Sequence, residues 1–158
     1  MTDEYDAYKR AQATRWLEHV RRLGGRCLAL QAEIEEQRAL ASGLKGIDYG
    51  RDLVQSSPTA DALPNAVSRL IDLIRDYCAE LAAYVDEQRQ AHDAINSVPD
   101  ETCAEALSRH YLAGETWEQC CVSMCYTWDG MMKLRRRAVL MAYDAMPTAW
   151  RDPMPPAL

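Results

Sequence analysis

The stretch Leu107–Met146, LSRHYLAGETWEQCCVSMCYTWDGMMKLRRRAVLMAYDAM, decides the reading of the fold, because its punctuation marks where helices stop and start. Just upstream, Asp100 is an N-cap residue type with Glu101 behind it. Leu107, Tyr111 and Leu112 then give the helix that follows an apolar stripe. Gly114 supplies a left-handed stop that a side chain would resist. Thr116, with Gln119 three residues on, forms a capping box that opens a second helix, whose buried side is Trp117, Cys120, Cys121 and Met124. Thr127 can cap a third helix, in which Met131, Leu134, Ala138 and Met141 or Ala142 recur at helical spacing. The face left outside carries Lys133, Arg136 and Arg137, neighbours at three- and four-residue spacing. A short helix, a tight turn and a longer basic helix are what reading the major groove of DNA requires. Thr127, Trp128, Met132, Lys133, Arg136 and Arg137 are the expected DNA contacts, with Trp117 as a core anchor.

Upstream of this module the pattern changes to long heptads. Trp16, Val20, Leu23, Cys27, Leu30 and Ile34 alternate spacings of four and three, interrupted by Gly24-Gly25, which should weaken that helix. After a glycine- and serine-spotted connection ending at Pro58, a second run proceeds through Leu63, Val67, Leu70, Ile74, Tyr77, Leu81 and Tyr84 to Ile95. Pro64 suits its first turn. A second stripe, Ile71, Cys78 and Val85, widens the apolar face beyond a two-stranded seam and predicts more than one neighbour. The expected architecture is all-α: a long, coiled-coil-like helical hairpin over 1–97, a possible dimerisation region, then a three-helix module over 98–146 and a flexible proline-rich tail over 147–158. Closure of the hairpin within one chain and between two chains fits the stripes equally well.

Composition supports the helical class. Hydrophobic residues make up 48% of the 158, with no Phe, seven Gly and seven Pro, a profile without strand-rich character. The net charge is −6, awkward for a DNA binder, but it is unevenly placed. Residues 43–102 carry eleven acids against five bases, whereas residues 103–146 carry five of each and bunch their cations between Lys133 and Arg137. A neutral module implies modest electrostatic affinity, so dimerisation or a polymerase partner is expected to help. The charged N-terminus, MTDEYDAYKR, lacks the apolar segment of a signal peptide, and no run is long enough to span a bilayer. A cytoplasmic protein with reduced thiols is the expectation. The six Cys include no C-x-x-C pair, and adjacent Cys120 and Cys121 point to different helix faces, so no metal site is expected. Scattered histidines and the lack of a nucleophile or phosphate-loop motif argue against an enzyme and against a cofactor.

The order Arg109, Tyr111, Gly114, Thr116-Trp117-Glu118, Tyr126-Thr127, then Leu134 and Ala138, resembles region four of bacterial sigma factors. It is more similar still to the small phage and prophage regulators of the ArpU and RinA kind, as is the upstream run Gly46 to Pro58, so the resemblance covers roughly residues 25 to 146. It implies a transcription regulator that contacts promoter DNA, with possible control of late genes. The sequence departs from that pattern at Cys120-Cys121, where Ile-Ala is expected, and at Met131. It departs further at Asp129 and Gly130, an acid and a helix-weakening glycine in the first turn of the recognition helix.

Other readings stay open at this level. Taken alone, the Lys133–Arg137 cluster is a solvated helix end balancing the macrodipole. Arg109 and Glu118 are types that could pair to brace the first two helices, and an exposed, weak pair fits equally well. An adaptor that binds RNA polymerase or a sigma factor without reading DNA is favoured by Asp129, Gly130 and the acidic middle. A structural coiled-coil phage protein is supported by the heptads alone.

Overall fold

The computed structural model describes residues 2–45 and 62–153, which are all-α, with no strand among them. The glycine-rich connection, including the run from Gly46 to Pro58, lies outside the described residues. Helix α1 covers Thr2–Lys45, α2 Ala62–Asn96, α3 Glu101–Leu107, α4 Trp117–Met124 and α5 Trp128–Ala145. A π-helical turn, Ser108–Leu112, extends α3, and a 3-10 turn, Thr148–Trp150, follows α5. Helix α1 runs unbroken through Gly24 and Gly25, and a Cβ at Gly25 would meet nothing within 4 Å.

Contacts divide the chain into two compact units: Met1–Gly25 with Asp86–Leu158, and Arg26–Val85. This differs from the expected boundary near residue 97, because the first six turns of α1 are part of the C-terminal module. Ala13, Trp16, Leu17 and Val20 of α1, with Ala91 and Ile95 of α2, share one core with Leu107, Tyr111, Trp117, Met131, Leu134 and Ala138. The short helices α3 and α4, seven and eight residues long, are too short to be stable alone, so burial against this core must hold them.

In the second unit, α1 and α2 run antiparallel: Arg26 lies against the Tyr84 ring, Ile34 beside Cys78 and Leu81, and Leu40 beside Leu70. Burial is sparse here. Cys27, Ile34 and Ala41 of α1 are buried, while every described α2 residue of this unit keeps some exposure. Of the second stripe, expected to find a further neighbour, Cys78 meets α1 beside Ile34, while Ile71 and Val85 stay 40% and 39% exposed.

The caps read from sequence all form. The Asp100 carboxylate accepts from the backbone N–H groups of Thr102 and Cys103 at 3.0 and 3.1 Å. Gly114 has φ +78°, as a left-handed stop requires, and Glu115 N–H reaches back to the Arg109 carbonyl at 3.0 Å. Thr116 and Gln119 make both bonds of the capping box. Thr116→Ala should therefore cost about 1 kcal/mol of stability, read by urea unfolding, with most of the loss recovered in Thr116→Ser. An unchanged midpoint in Thr116→Ala would show that the α4 start is held by packing alone.

The tail departs from expectation through Pro153. Instead of hanging loose, it lies along α1: Asp152 N–H donates to Gln12 Oε1 at 2.8 Å, Tyr8 Oη donates to the Pro153 carbonyl at 2.9 Å, and Arg15 pairs with Asp152 at 2.9 Å. Trp150 stacks at a tilt on His19, with ring centroids 4.8 Å apart. Pro147 ends α5 as expected, but the turn after it brings an indole back onto the module, and that contact outweighs the chain's freedom.

Candidate nucleic-acid interface

Helices α4 and α5 are joined by Cys125, Tyr126 and Thr127. Cys125 closes α4 in the left-handed region, φ 56°, a conformation that costs a non-glycine residue about 1 kcal/mol or more. Tyr126 N–H then bonds the Cys121 carbonyl at 2.9 Å, and Thr127 Oγ1 accepts from Gly130 N–H at 3.2 Å to open α5. This bond explains Gly130. A Cβ there would lie 3.1 Å from Thr127 Oγ1 and 3.4 Å from the Tyr126 ring, so the glycine lets the turn close tightly at the expense of helix propensity.

The six residues expected to contact DNA are separated by this geometry. Thr127 is exposed, but its hydroxyl is used as the cap. Trp128, 49% exposed, starts the helix beside exposed Asp129. Lys133 and Arg136 lie on the open face of α5 and have no ion-pair partner among the described residues. Met132 instead turns toward α1 and is partly buried against the core. Arg137 turns toward α3, where it pairs with Asp100 at 3.1 Å and donates to Cys103 Sγ at 3.5 Å. Asp100 is held below the usual carboxylate range, first by the backbone N–H of Cys103 and with help from Arg137. Arg137 therefore ties α5 to α3, leaving Lys133 and Arg136 as the free cations of the original three.

Sequence reasoning missed the cluster that fixes this face in place. His110 is buried and stacks on Trp117, with centroids 4.1 Å apart and planes 19° from parallel, while Tyr111 meets both rings edge-on. Arg135 lies over the Trp117 ring at 5.1 Å. Arg21, from α1, donates to His110 Nε2 at 2.7 Å and reaches the carbonyls of His110, Gly114 and Glu115 at 3.3–3.4 Å. These are carbonyls that the end of the π turn and the following loop leave unpaired, so α1 caps the helix before α4. The arrangement fits a neutral imidazole, with Nδ1 donating to the Glu115 carbonyl at 2.7 Å and Nε2 accepting from Arg21 Nη1, which lies 2.7 Å from Nε2 and 2.8 Å from Nδ1. Arg109, for its part, pairs with Glu105 at 2.9 Å and Glu115 at 3.3 Å rather than with Glu118. No local pattern announces it: His110 and Trp117 lie on different elements, and Arg21 is 89 residues away.

Burial pushes His110 from its ordinary 6.5 down to about 4, with Arg21 and Arg135 adding to the effect. The unfolded chain then takes up the proton first. The stabilisation is complete above about pH 6.5 and is lost as the pH falls toward 4. We expect roughly 2–3 kcal/mol to disappear over that window. Thermal melts between pH 4 and 7 should show it, with a shallower decline in His110→Gln; parallel curves for the two proteins would contradict it.

The buried thiols Cys103 and Cys120 are inert by environment. Cys120 is fully buried, and burial with the nearby Glu115 carboxylate raises it to about 11; Cys103 is raised by burial too. Of the adjacent pair, Cys120 sits in the core, while Cys121 is partly exposed and packs against its edge. Among the described residues no group of three or more His, Cys, Asp or Glu could hold a metal ion, and no helix is long and apolar enough to cross a membrane.

No known protein family, curated protein or solved structure matches the chain.

Proposed function

We propose that the chain is a phage-type transcription regulator, cytoplasmic and non-enzymatic, that contacts promoter DNA through a helix-turn-helix formed by α4 and α5. The observation that carries this reading is Lys133 and Arg136, unpaired on the open face of a helix whose start is fixed by a tight turn with a hydroxyl cap. Cations at that spacing reach phosphates or base edges when such a helix enters the major groove. The resemblance to ArpU and RinA regulators and to sigma region four adds support through Thr116, Trp117, Glu118, Tyr126 and Thr127. Homodimerisation belongs to this reading, because Leu28, Leu40, Ile71 and Val85 are exposed in the second unit and two half-sites raise the affinity of a small module.

Fluorescence anisotropy with DNA flanking the protein's own gene tests the proposal. Binding that beats a scrambled duplex and weakens with salt supports it; equal weak binding to both, or none, contradicts it.

A second reading has its own support. Val122 is 81% exposed, Tyr126 37% and Trp128 49%, an apolar group around the α4–α5 turn beside the acid Asp129. Such a surface suits RNA polymerase or a sigma factor better than phosphate. Co-purification with polymerase that survives Lys133→Ala/Arg136→Ala would favour this adaptor role.

A further inference from the structure

Within the unit that joins the start of α1 to the C-terminal module, α1 and α5 flank an open groove of about 470 Å³. Ala7 and Ala11 of α1 and Val139 of α5 form its apolar floor, and Arg10, Arg135 and Arg136 stand around it. No acidic residue lines it, in a chain of 24 acids and 18 bases. Within the same unit Arg15 is engaged by Asp152, Arg109 by two glutamates, Arg137 by Asp100 and Arg21 by backbone carbonyls, while Arg22 and Arg89 stand exposed and singly rather than around this groove. Arg10, Arg135 and Arg136 have no ion-pair partner among the described residues. Arg135 has the Trp117 ring beneath it. Three guanidiniums left without a counter-charge around one groove are complementary to an anion.

Arg136 belongs both to this groove and to the open face of α5, one turn from Lys133. The cationic surface is therefore continuous from the middle of α5 across to α1. From this we infer that α1 is a second DNA-contacting element, with Arg10 joining Arg136 to hold the phosphate backbone of the strand flanking α5. The inference rests on the DNA-binding reading above. It adds an element that no helix-turn-helix pattern specifies, and its contacts are to backbone, so they contribute affinity without base preference.

The test compares wild type with Arg10→Ala, Arg10→Lys and Lys133→Ala on specific and scrambled duplexes at two salt concentrations, after thermal melts show the variants folded. Arg10→Ala should weaken binding to both duplexes by about five- to tenfold near 0.1 M salt and reduce the salt slope by about 0.9. Arg10→Lys should recover most of the loss, because the charge remains. If wild type binds and Lys133→Ala weakens it while Arg10→Ala does not, the role of α1 is overturned and the function of α5 stands. If wild type binds no duplex, both readings fall. Should Arg10→Ala release an acidic protein partner while duplex binding is unchanged, the groove is a protein site and the inference is wrong.

Discussion

Replacing Trp117 by alanine is expected to lower the free energy of unfolding by about 3–5 kcal/mol. Trp117 is 9% exposed, and its ring is contacted by three side chains from two elements: His110 stacks at 4.1 Å and Tyr111 approaches edge-on at 6.0 Å from the π turn, and Arg135 of α5 lies over it at 5.1 Å. Removing it leaves a cavity against neighbours that cannot collapse, since Arg21 holds His110 in place and Tyr111 is 1% exposed. It also ends the cation–π contact of Arg135. Urea unfolding followed by circular dichroism is the measurement, because Trp16, Trp128 and Trp150 would complicate fluorescence. Trp117→Phe should recover part of the loss. A cost below about 1 kcal/mol would mean that the cluster does not hold α4 against the core.

Lys133→Ala/Arg136→Ala should weaken binding to a specific duplex by roughly 50-fold near 0.1 M salt and lower the slope of log affinity against log salt by about 2. Both side chains are exposed and lack an ion-pair partner among the described residues, so stability should change by less than about 0.5 kcal/mol. Arg137→Ala is the contrasting control. Its guanidinium is committed to Asp100 and Cys103, so its loss should loosen the α3–α5 contact more than it affects DNA. An Arg137→Ala defect in binding as large as the double variant's, with stability unchanged, would reverse these roles.

The local features of this fold were legible because they obey rules a few residues long. Asp100, Gly114, Thr116 with Gln119, and Thr127 each satisfy a backbone group within five residues, and each lies where the sequence placed it. The core faces of α1 and α5 likewise follow from periodicity, as Trp16, Val20, Met131, Leu134 and Ala138 show. What was not legible is long-range. Periodicity told that α1 buries a face, not that its first 25 residues bury it in the C-terminal module. Nothing near Arg21 marks it as the cap for Gly114 and Glu115, and nothing near Trp150 marks it as a partner for His19. The basic cluster shows the same limit. Spacing put Lys133, Arg136 and Arg137 on one face, but Asp100, 37 positions away, takes Arg137 off it, and α1 adds Arg10 beside Arg136.

Selection from a pool of randomised duplexes asks whether the chain reads DNA sequence at all. A DNA-reading chain enriches one motif, bound in a salt-sensitive manner and lost in Lys133→Ala/Arg136→Ala. A pool that stays random through successive rounds, while the protein remains folded, would contradict that role and leave the exposed Val122–Trp128 turn as a surface for another protein.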